Sequence, residues 1–124
     1  MTPTDVIERF AQLLSTGDVG AAVELYEPEA AFAVQPGELA VGRTAIEAAL
    51  VQFAALRPML TSDIQEVVDI GDLALVVNRW TLDGRDPDGT PVHLEGRSAD
   101  VLRRAETGEW RIAIDDPWGG AIGT

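Results

Sequence analysis

The residues with most chemistry to offer lie in the stretch GRSADVLRRAETGEWRIAIDDPWG, from Gly96 to Gly119. Polar and apolar residues alternate on either side of Ala105-Glu106-Thr107-Gly108, so the stretch reads as two strands joined by a tight turn, with Gly108 supplying the positive φ. Residues two apart share a strand face. Ser98, Asp100 and Leu102 therefore lie together, and by the same parity so do Trp110, Ile112, Ile114, Asp116 and Trp118. If both sets face inward, two carboxylates, Asp100 and Asp116, sit among large apolar side chains. A carboxyl so placed keeps its proton and works as a general acid or hydrogen-bond donor. Arg97, Arg103, Glu109, Arg111 and Asp115 fall on the opposite faces, toward solvent or a partner subunit.

Asn78 and Trp80 share a strand face with Val76 and Ala74, and Asp116-Pro117-Trp118-Gly119 reads either as a pocket rim or as the turn that ends the last strand. The remaining polar groups carry less. His93 shares the face of Glu95 and Arg97, a surface or dimer face. Asp63, Glu66 and Asp69 read as a solvated strand edge. The loop holding Asp83, Asp86 and Asp88 lacks the length and closing glutamate of a calcium loop and reads as a turn.

Three helices and a run of strands must position these groups. Residues 3–15 predict a first helix, capped by Thr2, with Pro3 in its first turn and Val6, Phe10, Leu13 and Leu14 on its apolar stripe. Gly17 stops it. Asp18 caps a second helix whose apolar side runs from Val19 to Tyr26, until Pro28 ends it. Ala30 to Val34 predicts a short strand broken by Gln35-Pro36-Gly37. Thr44 and Glu47 have capping-box spacing ahead of a third helix carrying Ile46, Leu50, Phe53 and Ala54. The period then turns strand-like over Met59–Val68, Leu73–Leu82, Val92–Arg103 and Glu109–Ile114, with turns at Gly71-Asp72, Asp83-Gly84, Asp88-Gly89 and Thr107-Gly108. Helices followed by an antiparallel meander predict an α+β fold in which one sheet face wraps the helices.

Composition narrows the function classes. At 124 residues the chain is expected to be a single domain, 1–124. It has no cysteine and one histidine, which excludes disulfides, thiolate sites and histidine-rich metal sites; no metal and no cofactor is expected. Nine basic residues, all arginine, stand against 21 acidic ones, a formal net charge of −12, which repels nucleic-acid backbones. No run is long enough to span a membrane and no signal peptide opens the chain, so a soluble cytoplasmic protein is expected.

Thr16-Gly17-Asp18 with Val19 to Tyr26, Ala30 to Val34, Gly42-Arg43-Thr44-Ala45-Ile46, and Asp100-Val101-Leu102-Arg103 with Gly108-Glu109-Trp110-Arg111-Ile112 together resemble the nuclear-transport-factor-2-like superfamily. Within it the chain is similar to SnoaL-like and ketosteroid-isomerase-like proteins. The resemblance implies a cystatin-like cone, its N-terminal helices packed in the concave face of a curved, mostly antiparallel sheet. It also implies an apolar pocket between the first helix and that face, and often a homodimer through the convex face. Carried over residue by residue, the isomerase tyrosine matches Phe10 and its general base matches Val34, neither of which does that work. Its carboxylic acid matches Asp100 and its active-site tryptophan Trp118. Limonene-epoxide-hydrolase-like proteins use two aspartates and an arginine. Asp100 with Asp115 or Asp116 matches the carboxylates, parity favours Asp116, and Ser98 stands where the arginine is expected.

Two functional expectations follow. In one, a small, largely apolar molecule undergoes isomerisation, cyclisation or hydration with Asp100 and Asp116 as acid-base groups. Phe10, Val34, Val76, Asn78, Trp80, Ser98, Leu102 and Trp118 would then form the binding site. In the other, the same cone is a non-catalytic module that binds a ligand or dimerises.

Overall fold

Thr2 starts the first helix as its sequence requires. Its Oγ1 accepts the Asp5 N–H at 3.1 Å while the Asp5 carboxylate accepts the Thr2 N–H at 2.8 Å, a reciprocal cap. In the computed structural model, which describes residues 1–119, this helix, α1, spans Pro3–Thr16 and ends at Gly17 in the left-handed region. Helix α2 (Val19–Val23) is capped by Asp18 but is only five residues long. The expected extension to Tyr26 does not occur. Pro28 disfavours helical geometry at Glu27, so the chain is already extended at Tyr26, the first residue of β1 (Tyr26–Gln35).

Strand β2 (Glu38–Val41) follows a turn at Pro36-Gly37 and pairs back on β1, a hairpin where the sequence predicts only a break. Helix α3 (Arg43–Ala54) starts two residues earlier than its capping-box spacing predicts, with Gly42 at the cap and no side-chain cap bond. What fixes its start is Arg43, whose guanidinium donates two hydrogen bonds, of 3.1 and 2.6 Å, to the Tyr26 carbonyl. Helix start and strand start are thereby tied together.

The meander comprises β3 (Met59–Asp69), β4 (Leu73–Arg85), β5 (Pro91–Arg104) and β6 (Trp110–Asp116). The six-stranded sheet runs β2-β1-β6-β5-β4-β3, with β1 and β6 parallel and every other pair antiparallel. Helix α1 packs on β3, β4 and β6, and α3 on β1 and β2, so the helices share one face of the sheet. Val6, Ile7 and Leu14 of α1, Ile46 and Leu50 of α3, and Val76, Leu102 and Ile112 of the sheet form the core between them. This is the expected α+β architecture.

The outer face is apolar along one line. Val41, Ala31, Ile114, Val101, Leu75 and Val68 are successive cross-strand partners from one edge to the other. Four of them, Val41, Ile114, Leu75 and Val68, are 61%, 48%, 38% and 46% exposed. Among the described residues no helix is long and apolar enough to cross a membrane.

Candidate functional site

Where β5 meets β6 the ladder slips by one residue. Val101 pairs with Ile114 but Leu102 pairs with Ile112, leaving Ala113 unpaired as a bulge on β6. A one-residue slip inverts every side chain beyond it. Trp110 and Ile112 remain inside as expected, but Ile114 turns outward and Asp115, expected outside, is 7% exposed and faces Asp100 across the ladder. Asp116 pairs with Ala99 on the outer side and is half-buried, so the expectation that it faces inward is overturned by the bulge. Its carboxylate accepts the Trp118 N–H at 3.1 Å instead, shaping the turn that ends the strand.

Asp100 and Asp115 lie at the wall of a cavity of about 70 Å³ between α1, α3 and the sheet. Phe10, Val34, Asn78, Trp80, Ser98 and Trp118 all border it. Val76 and Leu102 share the inward face but do not. Each is fully buried in the core instead. Strand parity does not place Asp115 or Ser62 in the cavity wall, nor does it find the aromatic side formed by Phe32 and Phe53. It also passes over Tyr26, the group that organises the carboxyls.

Tyr26 is fully buried, its ring edge-on to Phe10 at 5.9 Å, and its hydroxyl donates to Asp115 Oδ2 at 2.5 Å. So short a bond to a carboxylate stabilises the charged form of Asp115. Asp100 Oδ2 accepts from Ser98 Oγ at 3.2 Å, while Asp100 Oδ1 has no donor among the described residues. Burial, and then the charge of Asp115, push the Asp100 carboxyl well above the usual carboxylate range. Burial raises Asp115 too, but hydrogen bonds from Asp100 and Tyr26 work against the rise. Of the two carboxyls Asp100 therefore holds a proton the more tightly, beside an Asp115 carboxyl anchored by Tyr26. Burial and the same negative charge keep the Tyr26 phenol firmly protonated.

The polar wall continues through Asn78, whose Nδ2 donates to Ser62 Oγ at 3.3 Å and whose Oδ1 has no partner among the described residues. The aromatic rim is fixed by two indole bonds. Trp80 Nε1 donates to the Pro117 carbonyl at 2.8 Å and Trp118 Nε1 to the Val34 carbonyl at 3.0 Å, with the two rings edge-to-face at 5.2 Å. Gly96 makes room for this packing, since a Cβ there would lie 2.9 Å from the Trp80 ring.

His93 stands apart on the surface, its ring nitrogens 2.6 Å from Asp83 and 2.9 Å from Glu95, which raise its pKa. Asp86 accepts the backbone N–H groups of Asp88 and Thr90, a turn as read from sequence. No group of His, Cys, Asp or Glu side chains suited to a metal ion occurs among the described residues.

Solved structures share this architecture. A ketosteroid isomerase-like protein from Erwinia carotovora atroseptica superposes with a TM-score of 0.80 at 20% identity, over 90% of this chain and 88% of its own. An NTF2-like protein with a cystatin-like fold from Novosphingobium aromaticivorans gives a TM-score of 0.70 at 23% identity, over 90% and 75%. Aln2 from a Streptomyces species gives 0.75 at 20%, over 94% and 91%. Likeness at such identities is a likeness of fold. No curated protein matches the sequence. The SnoaL-like domain model matches residues 7–113, and the chain belongs to that family.

Proposed function

We propose that this protein binds a small, largely apolar molecule in the cone and performs cofactor-free acid-base chemistry on it, of isomerase, cyclase or hydrolase type. Asp100 is the proton donor and Asp115 the base. The observation that carries this reading is a pair of buried carboxyls facing each other across the ladder, one of them anchored by Tyr26, at the wall of a mostly apolar cavity. Sharing one proton, such a pair offers an acid and a base side by side, the two requirements of concerted proton transfer. The parts missing by family resemblance, with Phe10 and Val34 where a tyrosine and a base are expected, are replaced by Tyr26 at the start of β1 and Asp115 on β6.

The test is enolisation of butanone, a four-carbon ketone, in D₂O, followed by NMR. Asp115 removes an α-proton, Asp100 donates to the carbonyl oxygen to give the enol, and return of a deuteron regenerates the ketone. We expect deuteration to fall by roughly 10²- to 10⁴-fold in Asp115→Asn and in Asp100→Asn. Wild-type exchange no faster than that of Asp115→Asn would replace this reading with a non-catalytic binding module. A second copy of the chain against the convex face completes the proposal, supported by the apolar row that crosses all six strands.

A further inference from the structure

Two carboxyls, Asp100 and Asp115, line the cavity and no basic side chain among the described residues lines it with them. The chain has no lysine, and none of the described residues bordering the cavity is arginine or histidine. The titratable groups facing Asp115 are Tyr26 from β1 and Asp100 from β5, with Asp116 next along β6. The residues that α1, α3, β3 and β4 contribute to the cavity are uncharged.

Two of its buried polar atoms are unsatisfied. Asn78 Oδ1 is an acceptor without a donor and Asp100 Oδ1 has no partner among the described residues, on side chains only 4% and 3% exposed. Buried acceptors of this sort are costly unless a donor meets them. The cavity is also lined by aromatic rings, Phe10, Phe32, Phe53, Trp80 and Trp118, groups whose faces attract cations. The formal net charge of −12 adds a long-range field that draws cations to the surface.

We propose that the ligand of this cavity is a small apolar amine, bound as its ammonium ion. Its N–H donors meet Asp115, Asp100 and Asn78, and its alkyl part lies against the rings. This rests on the reading of Asp100 and Asp115 as a one-proton pair. A ketone brings only acceptors, which the Asp100 proton can meet but Asp115 and Asn78 cannot, and an alcohol brings one donor. An ammonium ion brings three donors and the missing charge. Size sets the alkyl group, because about 70 Å³ is under half of the roughly 150 Å³ that admits benzene, so three or four carbons fit without moving the wall.

The experiment uses the full chain and three isosteres, isopropylamine, 2-propanol and acetone. Each is titrated at pH 8 and constant ionic strength while the indole N–H signals of Trp80 and Trp118 are followed by NMR. We expect isopropylammonium to bind at least about tenfold more tightly than 2-propanol, with acetone weakest. Its affinity falls as the pH is lowered through the titration of the pair, because the proton then competes with the ligand. Asp115→Asn loses the preference for the amine. Equal or tighter binding of 2-propanol or acetone overturns the proposal, as does amine binding that is insensitive to pH in the wild type, a measurement that needs no variant to fold. Butanone deuteration without amine binding leaves the acid-base reading standing and removes this inference; amine binding without deuteration does the reverse.

Discussion

Asp100 is a stability cost retained at a cavity wall. Its folded-state pKa lies above that of the unfolded chain, so the native state binds the extra proton and stability falls as pH rises from the ordinary carboxylate range toward the raised value. Replacing it with a neutral isostere removes that slope. Asp100→Asn is expected to melt at a higher temperature than the wild type at pH 8, with the difference shrinking toward pH 4. Thermal unfolding across that range checks it, and a variant less stable at pH 8 would show that the Asp100 charge is compensated in the fold. Asp115 owes its lower proton affinity first to Asp100 and then to Tyr26. Tyr26→Phe should therefore raise the Asp115 pKa further, visible in a carbon-detected titration of the carboxyl signals; an unmoved Asp115 would mean that the phenol is not its anchor.

At the scale of elements, the site depends on two local irregularities. The Ala113 bulge turns Asp115 inward, and no sequence signal marks it, because Ala-Ile-Asp-Asp continues the alternation as readily with Asp116 inside as with Asp115. The rim depends on Gly96, where β5 passes under Trp80 and the Pro117 carbonyl at distances of 2.9 and 3.1 Å from a would-be Cβ. A methyl group there must displace the indole or the turn. Gly96→Ala is expected to cost about 1–3 kcal/mol of stability, the range for overpacking a filled site. It should also shift the Trp80 and Trp118 indole signals together; denaturant unfolding with a midpoint unchanged from wild type would mean that the rim yields freely. The first turn of α1 was legible because Thr2, Pro3 and Asp5 are local determinants. The start of α3 was not, because Arg43 is held by a carbonyl seventeen positions back in the chain.

For the whole molecule, the sheet's two faces have separate duties. The concave face carries helices and cavity. The convex face leaves Leu75 and Ile114 more than a third exposed in the middle of an apolar row, flanked by charged Arg79 and Arg97 on one side and Arg103 and Arg111 on the other. An apolar centre with a charged rim is how protein interfaces are commonly built. A homodimer is the expected state, and Ile114→Glu or Leu75→Glu should shift sedimentation to the monomer without unfolding the chain. A wild type sedimenting as a monomer at tens of micromolar would leave that face without a second copy.

Elements and fold class are written locally in the chain: helical periodicity, caps and turn glycines are short-range signals, and the order of helices then strands admits few ways to bury their apolar faces. The same local signals placed Asn78 with Trp80 on one face of β4 and Ser98 with Asp100 on one face of β5, since the alternation of both strands is unbroken through those positions. Which aspartate joins Asp100, and that Tyr26 anchors it, was settled in three dimensions. Register at a bulge is set by the energy of the whole ladder and of the core beneath it, and a bond between residues 26 and 115 has no local trace in the chain.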